Sequence, residues 1–274
     1  MTAATAKTAG MTIPEAVLEI DKVTMNFGGI VALDQVSLRI DTGEVVAVIG
    51  PNGSGKTTLL NVITGVYKPN AGKIRLDGAE IQGAAPQKIC GAGIARTFQN
   101  VRLFRSRTVL ENVLVGCHRL YEHKLWPALF RTPAFKREQA SYRRRALELL
   151  EFVGLKGCED MVSGNLPYAQ QRLLEIARAL ATQPRILLLD EPAAGMNAVE
   201  IESLNQLIKK ISQTGLTVVL IEHVMDLVRG VTDRVAVLNN GMKIAEGLYR
   251  DIERDPLVIE AYLGKGGAAH VKNL

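Results

Sequence analysis

The sequence lacks any apolar run close to the roughly 18 residues that a membrane-spanning helix requires. Its longest apolar runs, at 45–49 and 186–189, have only the length of buried β-strands. Residues 1–12 are small and polar, with no apolar segment of the kind found in secretory signals. We therefore expect a chain without a spanning helix or a signal peptide.

Aromatic residues and cysteines are also scarce, which disfavours further classes of protein. Aromatic side chains make up 5% of the chain, so base stacking on aromatic surfaces is not indicated. The cysteines, Cys90, Cys117 and Cys158, are odd in number and widely spaced, which fits neither a disulfide framework nor a zinc site. This usage fits a reducing compartment such as the cytosol.

Positive charge is concentrated in one region of the chain. The net charge is +5, but residues 96–145 contain twelve Arg or Lys and three Glu, which gives that block +9 and the remainder −4. Such a block suits anionic lipid headgroups, nucleic acid or a solvated helix face, and its composition alone does not choose among them.

The order of apolar patterns predicts an α/β fold. Period-two alternation near the N-terminus predicts antiparallel strands, and later strands alternate with helices, as in a parallel sheet. A long helical region, about 100–180, reads as an inserted helical subdomain, and Thr108 with Glu111 predicts a capping box inside it. The predicted strands are 17–25, 36–40, 45–49, 73–76, 186–189, 217–221, 234–238 and 242–245, and the predicted helices are 56–66, 170–181, 200–211 and 224–229, with helical character over 108–152.

A glycine-rich loop follows the strand predicted at 45–49 and matches the phosphate-binding pattern G-x-x-x-x-G-K-[ST]. Its glycines let backbone N–H groups curl around phosphates, and the helix that follows adds a favourable dipole. Lys56 is predicted to reach the β- and γ-phosphates, and the Thr57 hydroxyl to bind Mg²⁺. The predicted nucleotide-binding residues here are Gly50, Pro51, Asn52, Gly53, Ser54, Gly55, Lys56, Thr57 and Thr58.

Two acids end another buried strand and complete a phosphate-transfer site. Asp190 follows the apolar run at 186–189 and is predicted to hold Mg²⁺. Glu191 comes next, and a carboxylate there can act as general base on an attacking water. Together with the loop, these acids indicate a P-loop NTPase that binds ATP and Mg²⁺.

Further motifs, in their order along the chain, resemble the ABC (ATP-binding cassette) ATPases over about residues 15–264. The resemblance identifies Gln99 as the Q-loop glutamine, which senses Mg²⁺ and water, and His223 as the switch histidine that contacts the γ-phosphate. It implies that Phe27 stacks on adenine, that 194–197 is the D-loop, and that the fold has a RecA-like parallel core. The signature segment, which would clamp the ATP of a neighbouring subunit, is Leu166, Pro167, Tyr168, Ala169 and Gln170.

The signature departs from the usual Leu-Ser-Gly-Gly-Gln of this family. Pro167 replaces a serine that would donate a hydroxyl to the γ-phosphate, and it also removes a backbone N–H. Tyr168 and Ala169 replace the two glycines. We therefore hypothesise asymmetric ATP sites, in which the site that uses this signature is the weaker one.

The segments 27–33, 96–104, 170–180, 190–197 and 258–264 further resemble the ATPase subunits of bacterial branched-chain amino-acid importers. That resemblance implies two permease subunits, a second ATPase subunit (different from this chain, or a second copy of it), a periplasmic solute-binding protein acting indirectly, and a peripheral position on the cytoplasmic face of the inner membrane. Residues 1–14 and 265–274 are predicted to be a disordered lead-in and a flexible tail. The alternatives are an importer of urea, amides or another polar solute, and a non-transport ABC ATPase acting on nucleic acid, a partner that we do not expect.

Overall fold

A computed structural model describes residues 16–118 and 132–263 of the chain. The predicted lead-in, the predicted tail and the middle of the helical region fall outside the described residues. The described strands are β1 Ala16–Phe27, β2 Ile30–Asp41, β3 Val45–Ile49, β4 Ala71–Leu76, β5 Ala79–Glu80, β6 Ile94–Arg96, β7 Ile186–Asp190, β8 Thr217–Ile221, β9 Arg234–Asn239 and β10 Met242–Gly247. The described helices are α1 Lys56–Ile63, α2 Pro86–Ala92, α3 Val109–Cys117, α4 Pro133–Phe152, α5 Tyr168–Ala181, α6 Ala198–Gln213, α7 Met225–Val231, α8 Tyr249–Ile252 and α9 Pro256–Leu263, with a 3₁₀ turn at Ser163–Asn165.

The strands form two sheets, as the α/β prediction requires. One sheet is antiparallel, in the order β2-β1-β4-β5, and the other has the order β10-β9-β3-β8-β7-β6. In the second sheet the neighbours from β9 to β6 are parallel, and β10 joins the edge antiparallel. The expected parallel core with an antiparallel subdomain is therefore confirmed.

Alternate side chains of the parallel strands enter two different hydrophobic cores, because successive residues of a strand point to opposite faces. From β3, Ala47 and Ile49 join the core shared with α3, α5 and α6. Val46 and Val48 join the core shared with α1 and the antiparallel sheet. The sheet is thus covered on both faces, and only the ends of its strands are left for loops that carry chemistry.

The helical region differs in detail from its prediction. Its described part contains α3 and α4 as separate helices, and α3 packs against both α4 and α5. The predicted capping box is present, since Glu111 N–H donates to Thr108 Oγ1 over 3.1 Å and Thr108 N–H donates to Glu111 Oε2 over 2.8 Å. None of the described helices is both long and apolar enough to cross a membrane.

Several elements were missed or misplaced by the sequence patterns. The missed elements α2, β5, β6 and α8 have two to seven residues each, too few for a clear period. Helix α9, with eight residues, was also not predicted. Helix α1 ends at Ile63 rather than Val66, because Gly65 adopts a positive φ of 72° that breaks the helix. Helix α5 begins two residues earlier than predicted, at Tyr168, directly after Pro167.

Candidate nucleotide site

The glycine-rich loop lies between the end of β3 and the start of α1, at the carboxyl edge of the parallel sheet. Gly50, Gly53 and Gly55 have positive φ angles of 149°, 79° and 103°, a region that other residues rarely adopt. A Cβ on Gly50 would lie 2.0 Å from the carbonyl oxygen of Leu238, so the loop can only be this close to β9 with glycine there. Asn52 and Gly53 remain exposed at the mouth of the loop.

The amine of Lys56 lies inside this loop. It donates to the carbonyl oxygens of Gly50 and Pro51, at 2.7 Å and 2.9 Å. Burial lowers the pKa of Lys56 from its usual value, and the nearby carboxylates of Glu191 and Asp190 oppose that shift. The loop therefore holds a buried cation beside backbone N–H groups, which is the arrangement that a bound triphosphate needs.

The carboxylate of Asp190 is held in place by a cation that the sequence analysis did not single out. Arg96 Nη2 lies 2.7 Å from Asp190 Oδ2, and the two side chains are only 6% and 3% exposed. Arg96 Nη1 also donates to Asn61 Oδ1 over 2.7 Å. The pair ties β6 and β7 to α1, and it fixes the position of the predicted metal ligand.

Glu191 stands just beyond the end of β7 in a strained conformation. Its φ is +47°, which is uncommon for a side chain of this kind and frequent at functional sites. Its N–H donates to the carbonyl oxygen of Ile221 over 2.9 Å, which fixes the turn. Gln99 Nε2 donates to Glu191 Oε2 over 2.8 Å, and His223 Nδ1 lies 3.9 Å from the same oxygen. The three predicted catalytic residues therefore meet at one carboxylate.

Glu222 is a second residue that the sequence analysis did not assign. It is fully buried, and its carboxylate accepts hydrogen bonds from the N–H groups of Ala193, His223 and Val224, at 2.8–3.1 Å. Burial raises the pKa of Glu222, and those N–H donors oppose the shift. It links the turn after Glu191 to the segment that carries His223.

The donors for Mg²⁺ are those a hard cation prefers. Thr57 of the loop offers a hydroxyl, Asp190 at the end of β7 a carboxylate, and Gln99 beside Glu191 an amide oxygen. Mg²⁺ favours oxygen ligands together with substrate phosphates. Within 16–118 and 132–263 no group of three or more His, Cys, Asp or Glu side chains is arranged to hold a metal ion. The three oxygen donors fit Mg²⁺, whose charge would neutralise the phosphates of a bound nucleotide.

Phe27, the predicted adenine contact, ends β1 and is 41% exposed. Its ring meets Tyr67 edge to face, with ring centroids 5.1 Å apart. Tyr67 follows α1 and is half-buried, so the two rings form a partly exposed aromatic pair near the helix that begins at the loop. Adenine stacking by Phe27 stays a prediction.

The signature segment lies at the amino end of α5, away from the loop in sequence. Leu166 is buried, Pro167 is the residue before the helix, and Tyr168 is 45% exposed. A Cβ added at Gly195 would be 3.4 Å from the Tyr168 ring, so this ring packs against the predicted D-loop. Ala169 and Gln170 form the first turn of α5 and are half-buried.

The predicted D-loop, 194–197, ends at the cap of α6. Its last residue, Asn197, accepts hydrogen bonds from the N–H groups of Val199 and Glu200.

Comparison with known proteins agrees with this geometry. The family model described as "ABC transporter" matches residues 33–194, which include the loop, Gln99, the signature and both acids. This chain belongs to the ABC transporter ATP-binding family. A second model, described as "Branched-chain amino acid ATP-binding cassette transporter", matches residues 242–268 of this ABC ATPase, the part that follows β9.

Relatives of this ABC ATPase match almost its whole length. The high-affinity branched-chain amino acid transport ATP-binding protein BraF of Pseudomonas aeruginosa is 48% identical over 250 residues, covering 91% of this chain and 98% of BraF. The LivG protein of Salmonella typhimurium, with the same description, is 45% identical over 252 residues, covering 92% and 99%. The crystal structure of the ADP conformation of MJ1267, an ATP-binding cassette of an ABC transporter, has a TM-score of 0.80 and 35% identity, covering 91% and 99%. This chain is accordingly an ATP-hydrolysing enzyme that binds nucleotide.

The basic block of this ABC ATPase does not form a single surface. Arg96 is buried and pairs with Asp190. Arg143 and Arg144 are exposed on α4, whereas Arg145 is half-buried. Part of the regional charge is therefore structural, and only the exposed part is available to lipid headgroups or partners.

Proposed function

We propose that this ABC ATPase powers a bacterial importer of branched-chain amino acids, namely leucine, isoleucine and valine. The observation that carries the proposal is the match of residues 242–268 to a model specific for branched-chain amino-acid cassettes. The match at 33–194 is common to ABC transporters in general and does not choose a cargo. The descriptions of BraF and LivG, which match along almost their whole length, support the same cargo.

In the proposed cycle, two ATPase chains stack head to tail. Each ATP is bound by the Gly50–Gly55 loop and Lys56 of one chain and by the signature of the other. Glu191 acts as general base on the attacking water, and Gln99 and His223 hold the groups around it. ATP binding closes the pair of subunits and hydrolysis opens it, so the chemistry is converted into movement of the transporter.

The partners in this proposal are two membrane permeases, a second ATPase chain and, indirectly, a periplasmic solute-binding protein. A groove of about 380 Å³ supports permease docking, because it lies between α2 and the helical region and is lined by Ile89, Val115 and Phe98, the residue before Gln99. Val66 and Val115 are 49% and 47% exposed at this groove, although both are large and apolar. A permease helix seated there would press on the segment that carries Gln99.

The same proposal places the chain on the cytoplasmic face of the inner membrane, as a peripheral subunit. The exposed charges of Arg143 and Arg144 suit a position near anionic headgroups.

The decisive experiment has two stages. The chain is first solubilised gently from its native membranes, and the proteins that co-purify are identified by mass spectrometry. Two permeases and an ATPase chain are expected, whereas a soluble complex or bound nucleic acid would overturn the transport assignment. The purified complex is then reconstituted in vesicles, where labelled leucine uptake should require ATP and be lost in Glu191→Gln. Uptake of urea or an amide but not of leucine would support the importer assignment and contradict the proposed cargo.

A further inference from the structure

Two buried side chains of α5 hold the segment that carries Gln99. The guanidinium of Arg172 donates through Nη1 to the carbonyl oxygen of Phe98, over 2.6 Å, and through Nη2 to the carbonyl oxygen of Gln99. Glu175 Oε1, one turn along the same helix, accepts from the N–H of Arg102 over 2.6 Å. The 98–102 segment is therefore attached to α5 at both ends by charge-assisted hydrogen bonds, which are about twice as strong as neutral ones.

The other side of Arg172 faces the signature. Its guanidinium lies over the ring of Tyr168, 5.3 Å from the ring centroid, and that ring packs against Gly195. Gln99, at the other end of the hydrogen bonds from Arg172, donates to Glu191. Contacts thus run without a break from the signature through Arg172 to Gln99 and Glu191.

The buried side chains of Arg172 and Glu175 do not use all of their hydrogen-bond donors and acceptors. The side chains of Arg172 and Glu175 are 2% and 1% exposed, but within the described residues Arg172 Nε and Glu175 Oε2 have no hydrogen-bond partner. Their closest charged atoms are 3.6 Å apart, which is too long for a good hydrogen bond. Buried polar atoms normally find partners, and a network with free donors and acceptors can change its pairing when α5 moves relative to the segment.

We propose that Arg172 is a positioning residue that couples the two ATP sites of the dimer. It positions Gln99 beside Glu191 according to the position of the signature in the same chain. Glu175 assists by holding Arg102. This inference rests on the proposed function in one respect, since the signature must contact the ATP of the neighbouring subunit. In this role Arg172 acts through Gln99, whose carbonyl oxygen it holds.

The test compares Arg172→Gln with Arg178→Gln. Arg178 is the matched control, because it lies on the same helix and its Nη2 is also 3.6 Å from Glu175, yet its described contacts do not include the carbonyls of 98 and 99. Four quantities are measured on the full chain: kcat for ATP hydrolysis, KM for ATP, hydrogen–deuterium exchange of the peptide 97–103, and exchange of β7 and β8. Exchange separates a local loosening of this segment from general loss of stability.

For Arg172→Gln we expect kcat to fall about 10- to 100-fold with KM for ATP unchanged, since small misplacements of a catalytic group cost this much. Exchange of 97–103 should rise at least about 10-fold while β7 and β8 keep their protection. Arg172→Lys, which can hold one carbonyl, should recover part of both effects. Arg178→Gln should change neither quantity.

Equal behaviour of Arg172→Gln and Arg178→Gln, or a normal kcat in Arg172→Gln, would overturn the proposal. If Arg172→Gln does not fold, Arg172→Lys decides by the same two quantities, and a wild-type result for it counts against the proposal. Both readouts are taken without permeases, so failure of the importer assignment would leave them unchanged. The coupling itself is tested in the Glu191→Gln background, where adding ATP should alter exchange of 97–103 only when Arg172 is present.

Discussion

Loss of the Arg96 guanidinium should destabilise the chain more than loss of an exposed arginine. Arg96→Gln would leave the Asp190 carboxylate buried without its cation, since the two side chains are 6% and 3% exposed and 2.7 Å apart. Breaking a buried pair from one side costs about 3–5 kcal/mol, and here the charged hydrogen bond to Asn61 is lost as well. We expect the free energy of unfolding in urea to fall by about 3–5 kcal/mol.

Two further variants test the reasoning. Arg107→Gln removes an exposed partner of Glu111, at 3.4 Å with side chains 65% and 46% exposed, and should cost less than about 1 kcal/mol. Arg96→Gln combined with Asp190→Asn removes both charges, and it should be more stable than Arg96→Gln alone by about 1–3 kcal/mol. A loss below about 1 kcal/mol for Arg96→Gln, or no recovery in the double variant, would refute the view that the pair is coupled.

Three other variants test separate parts of the molecule. Glu191→Gln should retain ATP binding while turnover falls about 10²–10⁴-fold in a phosphate-release assay, and unaltered turnover would remove Glu191 from its role. Thr108→Ala breaks the cap of α3 and should lower the free energy of unfolding by about 0.5–2 kcal/mol, measured in urea, whereas an unchanged value would show that the capping box does not contribute. Pro167→Ser with Ala169→Gly should raise the ATPase rate of the assembled complex, and an equal or lower rate would contradict the hypothesis of asymmetric sites.

The parts of the site that sequence could predict are those carried by a loop next to an apolar strand. The Gly50–Thr57 pattern and the Asp190–Glu191 pair each follow a buried strand, and parallel strands end at the same edge of a sheet. Their proximity could therefore be predicted before any coordinates. The same holds for His223 after β8.

The contacts of Arg96, Arg172 and Glu222 could not be predicted, because each includes a partner distant in the chain. Arg96 belonged to a block of positive charge that equally suits a solvated helix, and its burial beside Asp190 arises only when β6 and β7 pair. Arg172 lies in a predicted helix, and its hydrogen bonds to the carbonyl oxygens of Phe98 and Gln99 arise only when α5 packs against the segment after β6. Glu222 gave a weak signal, an acid at the end of the apolar strand β8 beside His223. Its three N–H donors come from loops whose conformation no periodicity specifies.

The strand order also constrains when the phosphate loop can form during synthesis. β3 carries this loop, and its neighbours in the sheet are β8 and β9, which begin at Thr217 and Arg234. Gly50 itself lies against the carbonyl of Leu238. A ribosome that has made the first half of the chain has therefore made the loop but not the strands that support it. Nucleotide should therefore stabilise the loop only after β8 and β9 have been made, and until then β3 is an apolar segment without its two neighbours in the sheet, which makes it prone to aggregation.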